Sequence, residues 1–211
     1  MFAWILLLLL WSTAVALAAD STVSVYLRDF AGTSPSVLAA MKGEIETLLT
    51  SAGLRTAWWT PLMSPSQGKL MVMDLQGVCE ISAAKSKLEP ISGQTALAST
   101  SVVEGLVTPF ARVDCDAVSR YVGPGLTNIN SSLRSFIYGR ALGRVVAHEL
   151  YHMVGQTLAH SHGGVGRPEF SVSELISPSF DFEKETVAAI RLGAWSSAAS
   201  ALHNPPAEKA K

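Results

Sequence analysis

His148, Glu149 and His152 stand in the pattern HExxH, inside the stretch ALGRVVAHELYHMVGQTLAHSH that runs from Ala141 to His162. On a helix, residues four apart lie one above the other on the same face, so the two imidazoles can offer ring nitrogens to one ion. Glu149, next to the first histidine, can reach a water at that ion without being a ligand. An open metal site with a carboxylate general base beside it is what zinc-dependent hydrolysis requires. Four of the five histidines, His148, His152, His160 and His162, fall within fifteen residues, so further ligands are close at hand.

The pairing works only if the segment is helical. Leu133, Phe136, Ile137, Ala141, Leu142, Val145 and Val146 form an apolar stripe at helical spacing. Asn130 or Ser131 can cap its start, and the helix is expected to run through His152 to about Gly155, a rigid platform for ligands. Before it, Val122 to Asn130 (VGPGLTNIN) reads as a loop.

Thr22 to Leu27 alternates in the period of a strand. After Gly32 to Ser34, with Ser34 as N-cap and Pro35 at the first helical position, Val37, Leu38, Met41, Ile45, Leu48 and Leu49 predict a helix ending near Gly53. Arg55 to Thr60 and Leu70 to Leu75 follow as strands, with Met71 and Met73 as core residues and the Pro, Ser and Gly-rich Pro61 to Lys69 between them as a loop. Leu97 to Val103 and Leu106 to Val113 are further strands. Pro109 marks the second as an edge strand or the site of a bulge, and an edge beside a cleft can take an extended peptide by strand addition. Asp114 and Asp116, flanking Cys115, read as capping or solvent-facing carboxylates. A last helix is expected over Phe182 to Ala199, and the tail from His203 to Lys211 is polar and disordered by composition.

The first 19 residues have an apolar core and an Ala-x-Ala site at Ala16 and Ala18, which reads as a secretory signal, with an uncleaved anchor as the alternative. Residues 20–202 then form one domain. Cys79 and Cys115 fit an oxidising compartment as one disulfide, with buried free thiols as the alternative. A net charge of -1 and the absence of a basic block exclude an electrostatic case for nucleic acid or an anionic membrane as partner.

His148, Glu149, His152 and Gly155 together resemble the signature of the zincin metallopeptidases, and within them the metzincins, whose pattern is HExxHxxGxxH. The resemblance implies an α/β (α+β) zincin-like fold: a twisted, mostly N-terminal sheet with a covering helix, a long active-site helix and a C-terminal helix. It implies one zinc ion per chain, Glu149 as general base, a peptide or protein substrate, and a turn out of the helix at the glycine. The signature places its third histidine at Leu158; here the next histidine is His160, two residues later. His160 is the leading third ligand, His162 would project to the same side in an extended segment, and Glu174 is the alternative in the gluzincin manner. No methionine follows Met153, so the turn that metzincins place beneath the metal would have to come from Ser177 to Phe182, with Phe180 or Phe182 as its apolar floor. Tyr151, His162 and Tyr138 are candidate oxyanion donors. Two other functions stay open: a zinc amidase acting on a non-protein amide, and a zincin-like fold with a structural zinc or a partner-binding role and no turnover.

Overall fold

The computed structural model describes residues 21–29, 32–62, 70–82 and 96–192. The expected signal segment, most of the loop before Leu70, the C-terminal part of the last helix and the tail lie outside these residues.

Among the described residues, five strands form one sheet in the order β2-β1-β3-β5-β4. Strand β1 (Ser21–Asp29) leads into helix α1 (Pro35–Ser51) and back to β2 (Leu54–Trp58), which pairs parallel to β1. Strand β3 (Leu70–Gln76) joins the other side of β1, also parallel. Strands β4 (Ala98–Val103) and β5 (Leu106–Asp114) form an antiparallel hairpin whose second strand lies parallel to β3. Helix α2 (Cys115–Val122), a 3-10 turn (Gly123–Leu126), helix α3 (Ser131–Gly155) and short helix α4 (Val172–Ile176) complete the named elements, and residues 184–192 are helical. The fold is mixed α/β, as expected.

The register puts odd-numbered residues of the central strands on one face. Val25 opposes Met71, Met73 opposes Ala111, and Leu75 opposes Val113; all are buried, in one core with α1 and α3. Met71 and Met73 are core residues, as their alternation predicted. On the other face Arg28 and Asp74 pair across β1 and β3 at 2.8 Å. The sheet therefore buries one face against two helices. Those helices approach closely because α3 carries glycine at two positions four apart. A Cβ on Gly139 would lie 2.6 Å from the Val37 carbonyl oxygen, and one on Gly143 would lie 2.8 Å from that of Met41.

Of the two readings offered for Pro109, the bulge holds and the edge strand does not: β4 is the edge among the described residues, and β5 pairs with β3 from Phe110 onward. Pro109 lies in the irregular stretch of the hairpin, opposite the register shift between Thr100 and Val102, which is the bulge its missing N–H favours. Leu133 and Phe136 are exposed, because the first turns of α3 instead face inward with Arg134, which donates to the carbonyls of Leu126 and Ile129. The turn out of α3 is made by Gln156, at φ 48°, and not by Gly155, which remains helical.

Cys79 and Cys115 form a disulfide between the segment after β3 and the start of α2. Asp114 caps α2 by accepting from the Ala117 N–H at 2.8 Å, and Asp116 accepts from Val78 N–H. No helix among the described residues is long and apolar enough to cross a membrane.

Candidate metal centre

Helix α3 begins at Asn130, whose side chain accepts from the Leu133 N–H at 2.8 Å, and is buried continuously from Ala141 to Val154. Its last turns carry His148, Glu149 and His152, each less than a tenth exposed. At its end the Gln156 N–H returns to the His152 carbonyl, and the Gln156 side chain donates to the Met153 carbonyl at 2.6 Å. These bonds offset the cost of a left-handed non-glycine residue, about 1–2 kcal/mol. The chain then leaves the helix without regular structure from Thr157 to Ser161, which absorbs the two extra residues before His160.

The two helical histidines are held by backbone carbonyls. His148 Nδ1 bonds Val165 O at 2.8 Å, and His152 Nδ1 bonds Thr157 O at 2.8 Å. Carbonyl oxygens only accept, so both Nδ1 atoms carry the proton and both Nε2 atoms present lone pairs. Burial lowers the pKa of His148 to about 4 and also lowers that of His152. The pair is therefore neutral near pH 7, yet its Nε2 atoms stand 3.1 Å apart. Two facing lone pairs at this distance repel unless a cation lies against both. The separation is near the roughly 3.4 Å that two nitrogens keep at a tetrahedral zinc ion.

His160 completes the group. Its ring stacks on that of His148 with centroids 5.3 Å apart and meets His152 edge-on at 4.8 Å. Donor nitrogens of His148, His152 and His160 all lie within 4.8 Å of one another, so the three side chains can hold a metal ion. Two histidines are buried and the third is exposed, which leaves the site open on one side.

The other sequence candidates lie elsewhere. Glu174 is taken up in a capping box with Ser171 and bonds Arg167 at 2.6 Å, and these partners hold its carboxyl below the usual range. His162 is exposed and outside the cluster. Tyr151 donates to Ala159 O, and the fully buried Tyr138 donates to Cys115 O, so both hydroxyl protons are already taken by backbone carbonyls. Phe182 packs on Tyr151, and Phe180 packs on Phe170; the phenylalanine that meets a cluster histidine is Phe170, edge-on to His148 at 5.4 Å, while the Tyr151 ring lies 5.0 Å from that of His152.

Glu149 lines a cleft of about 600 Å³ together with the three histidines. Residues Leu97 to Thr100 of the β4 region form one wall; Tyr121, Val145, Leu158 and Phe170 add apolar surface. Burial raises the Glu149 pKa to about 7, against the opposing pull of hydrogen bonds with Thr100, whose hydroxyl donates to Oε2 at 2.5 Å. Thr100 carries no signal in the sequence: it is 49 residues from Glu149 and belongs to no motif.

Two positioning features were equally silent. Arg144, one turn before His148 and fully buried, bonds Glu44 of α1 at 2.6 Å and the carbonyls of Glu174 and Leu175. It ties the ligand helix to α1 and α4. Val165, whose carbonyl orients His148, donates its own N–H to the Asp181 carbonyl at 3.0 Å. Its loop packs tightly: a Cβ on Gly164 would lie 2.3 Å from that same oxygen.

Compared with known protein families and with curated proteins, the sequence matches no family model and no curated protein.

Proposed function

We propose that the chain is a zinc-dependent peptidase with a zincin-like fold, in which His148, His152 and His160 hold the ion and Glu149 is the general base. The observation that carries this reading is the convergence of two neutral, carbonyl-oriented imidazoles and His160 on one point of an open cleft, with a buried carboxylate on the same helix. Zinc, when bound, supplies a Lewis acid that polarises a carbonyl and makes water acidic near neutral pH.

The protein's own groups have separate tasks. The Val165 and Thr157 carbonyls fix which nitrogen of each histidine is free. Glu149 takes a proton from the attacking water and returns it to the departing amine, a task suited to a carboxyl whose pKa burial has brought near 7. Strand β4 has β5 on one side only among the described residues, and its outer edge offers backbone N–H and C=O groups to an extended chain. That edge, beside an apolar cleft wall, favours a peptide over a compact amide. The disulfide suits an oxidising compartment, and we place the activity outside the cytosol.

The test pairs metal content with hydrolysis of a quenched fluorescent peptide library. Glu149→Ala should retain its zinc and lose hydrolysis by roughly 100- to 10,000-fold. His148→Ala should lose both. Zinc that stabilises the fold, as shown by a drop in melting temperature on chelation, with no peptide cut by the wild type, would replace this reading with a structural site.

A further inference from the structure

We infer that Thr100 is the positioning residue for Glu149: its hydroxyl holds the carboxylate in the one rotamer that aims it along the cleft. The inference rests on the peptidase reading for its kinetic consequence, but its geometric part stands on the hydrogen bond alone.

A glutamate has three side-chain torsions, and a carboxylate at the floor of a cleft keeps one direction only if something grips it. Among the described residues, the Thr100 hydroxyl is the one side-chain group that hydrogen-bonds it, at 2.5 Å to Oε2. The hydroxyl is also 3.4 Å from the Glu149 carbonyl oxygen, but it has a single proton, and the short contact takes it. The Thr100 backbone also hydrogen-bonds the carboxyl, so both grips on this cleft-lining side chain come from one strand residue.

The donor is itself well fixed. Threonine is β-branched, so in a strand its χ1 is stiff and its oxygen keeps one direction. Thr100 opposes Ala111 across the hairpin, on the near side of the register shift between Thr100 and Val102. Ala98, Ser99 and Thr100 all line the cleft, with Ala98 and Thr100, two apart, half-buried and Ser99 between them exposed. The carboxylate is therefore aimed by the strand along which a peptide would lie, and not by the helix that carries it.

The experiment compares wild type, Thr100→Val and Thr100→Ser. Valine keeps the shape and stiffness of threonine and removes the hydroxyl; serine keeps the hydroxyl and loses the branch. In crystal structures of the metal-free proteins, Glu149 should leave its single rotamer in Thr100→Val and keep it in Thr100→Ser. In the zinc-loaded proteins, Thr100→Val should lower kcat on a quenched fluorescent peptide by roughly 10- to 100-fold with KM within about twofold. Serine should restore most of that loss. Zinc content should not change in any variant. If Thr100→Val folds poorly, Thr100→Ala makes the same comparison.

An unmoved carboxylate in Thr100→Val overturns the inference, and so does a moved carboxylate with unchanged kcat in an active enzyme. Equal losses in Val and Ser overturn it as well, since they would mark a packing role. If the wild-type chain cuts no peptide, it is the peptidase reading that fails. The rotamer of Glu149 in the metal-free structures then decides whether Thr100 orients it.

Discussion

The Nε2 atoms of His148 and His152 face each other at 3.1 Å with both Nδ1 protons given to backbone carbonyls, so the two rings share a space that neither can fill with a hydrogen. This arrangement sets the order of effects expected in metal binding. His148→Ala and His152→Ala should abolish retention of zinc through dialysis, and His160→Ala should weaken it. Glu174→Ala and His162→Ala should leave about one ion per chain. Elemental analysis of the dialysed proteins checks this, and a normal metal content in His160→Ala would remove that residue from the site.

Two glycine replacements should act in opposite directions. Gly139→Ala puts a Cβ 2.6 Å from the Val37 carbonyl oxygen, and the overpacking cost of about 1–3 kcal/mol outweighs the gain in helix propensity. Gly43→Ala, on α1, meets nothing within 4 Å and should stabilise by up to about 1 kcal/mol. Thermal melts of the pair, run together, test whether α1 and α3 touch where the structure places them.

Acid should weaken the protein partly through Asp74. Hydrogen bonding to Arg28 holds the Asp74 carboxyl below its usual range, with burial opposing it. A group whose folded pKa is depressed stabilises the fold above its unfolded pKa, near 4, and loses that contribution as pH falls through the folded value. Asp74→Asn should therefore be less stable than wild type at pH 7, and the difference should shrink toward about pH 2. Urea melts across that range measure it.

Removing the disulfide should cost about 4 kcal/mol on the chain-entropy account for its 36-residue separation. Cys79→Ser with Cys115→Ser is expected to melt roughly 10 °C below wild type. Reducing agent should act on wild type in the same direction and leave the double variant unchanged.

The parts of this protein that could be read from sequence are those written in side-chain spacing. The HExxH pair was legible because one helical period puts His148 over His152, and the core because Val25, Met71 and Met73 alternate. His160 was reachable because a segment outside a helix can absorb two residues. What could not be read is carried by backbone or by long separations. The carbonyls of Val165 and Thr157 that orient the histidines belong to any residue type. Arg144 looks like a surface charge on a helix until Glu44, 100 residues away, and the end of α4 close over it. Phe170, not Phe180 or Phe182, meets His148 because the chain folds back through the glycine loop, and periodicity does not describe such a path. Gln156 replaces glycine at the helix exit because local hydrogen bonds hold it there.

The Cys79–Cys115 bond closes a covalent ring, and that ring contains the whole of β4 and β5, including Thr100 and the wall of the cleft. A single backbone cut anywhere inside it opens the loop without releasing a fragment, since both new ends remain attached to the rest of the chain. Nicking at one point in β4 or β5 would therefore leave the cleft wall tethered to the chain that carries His148 and Glu149.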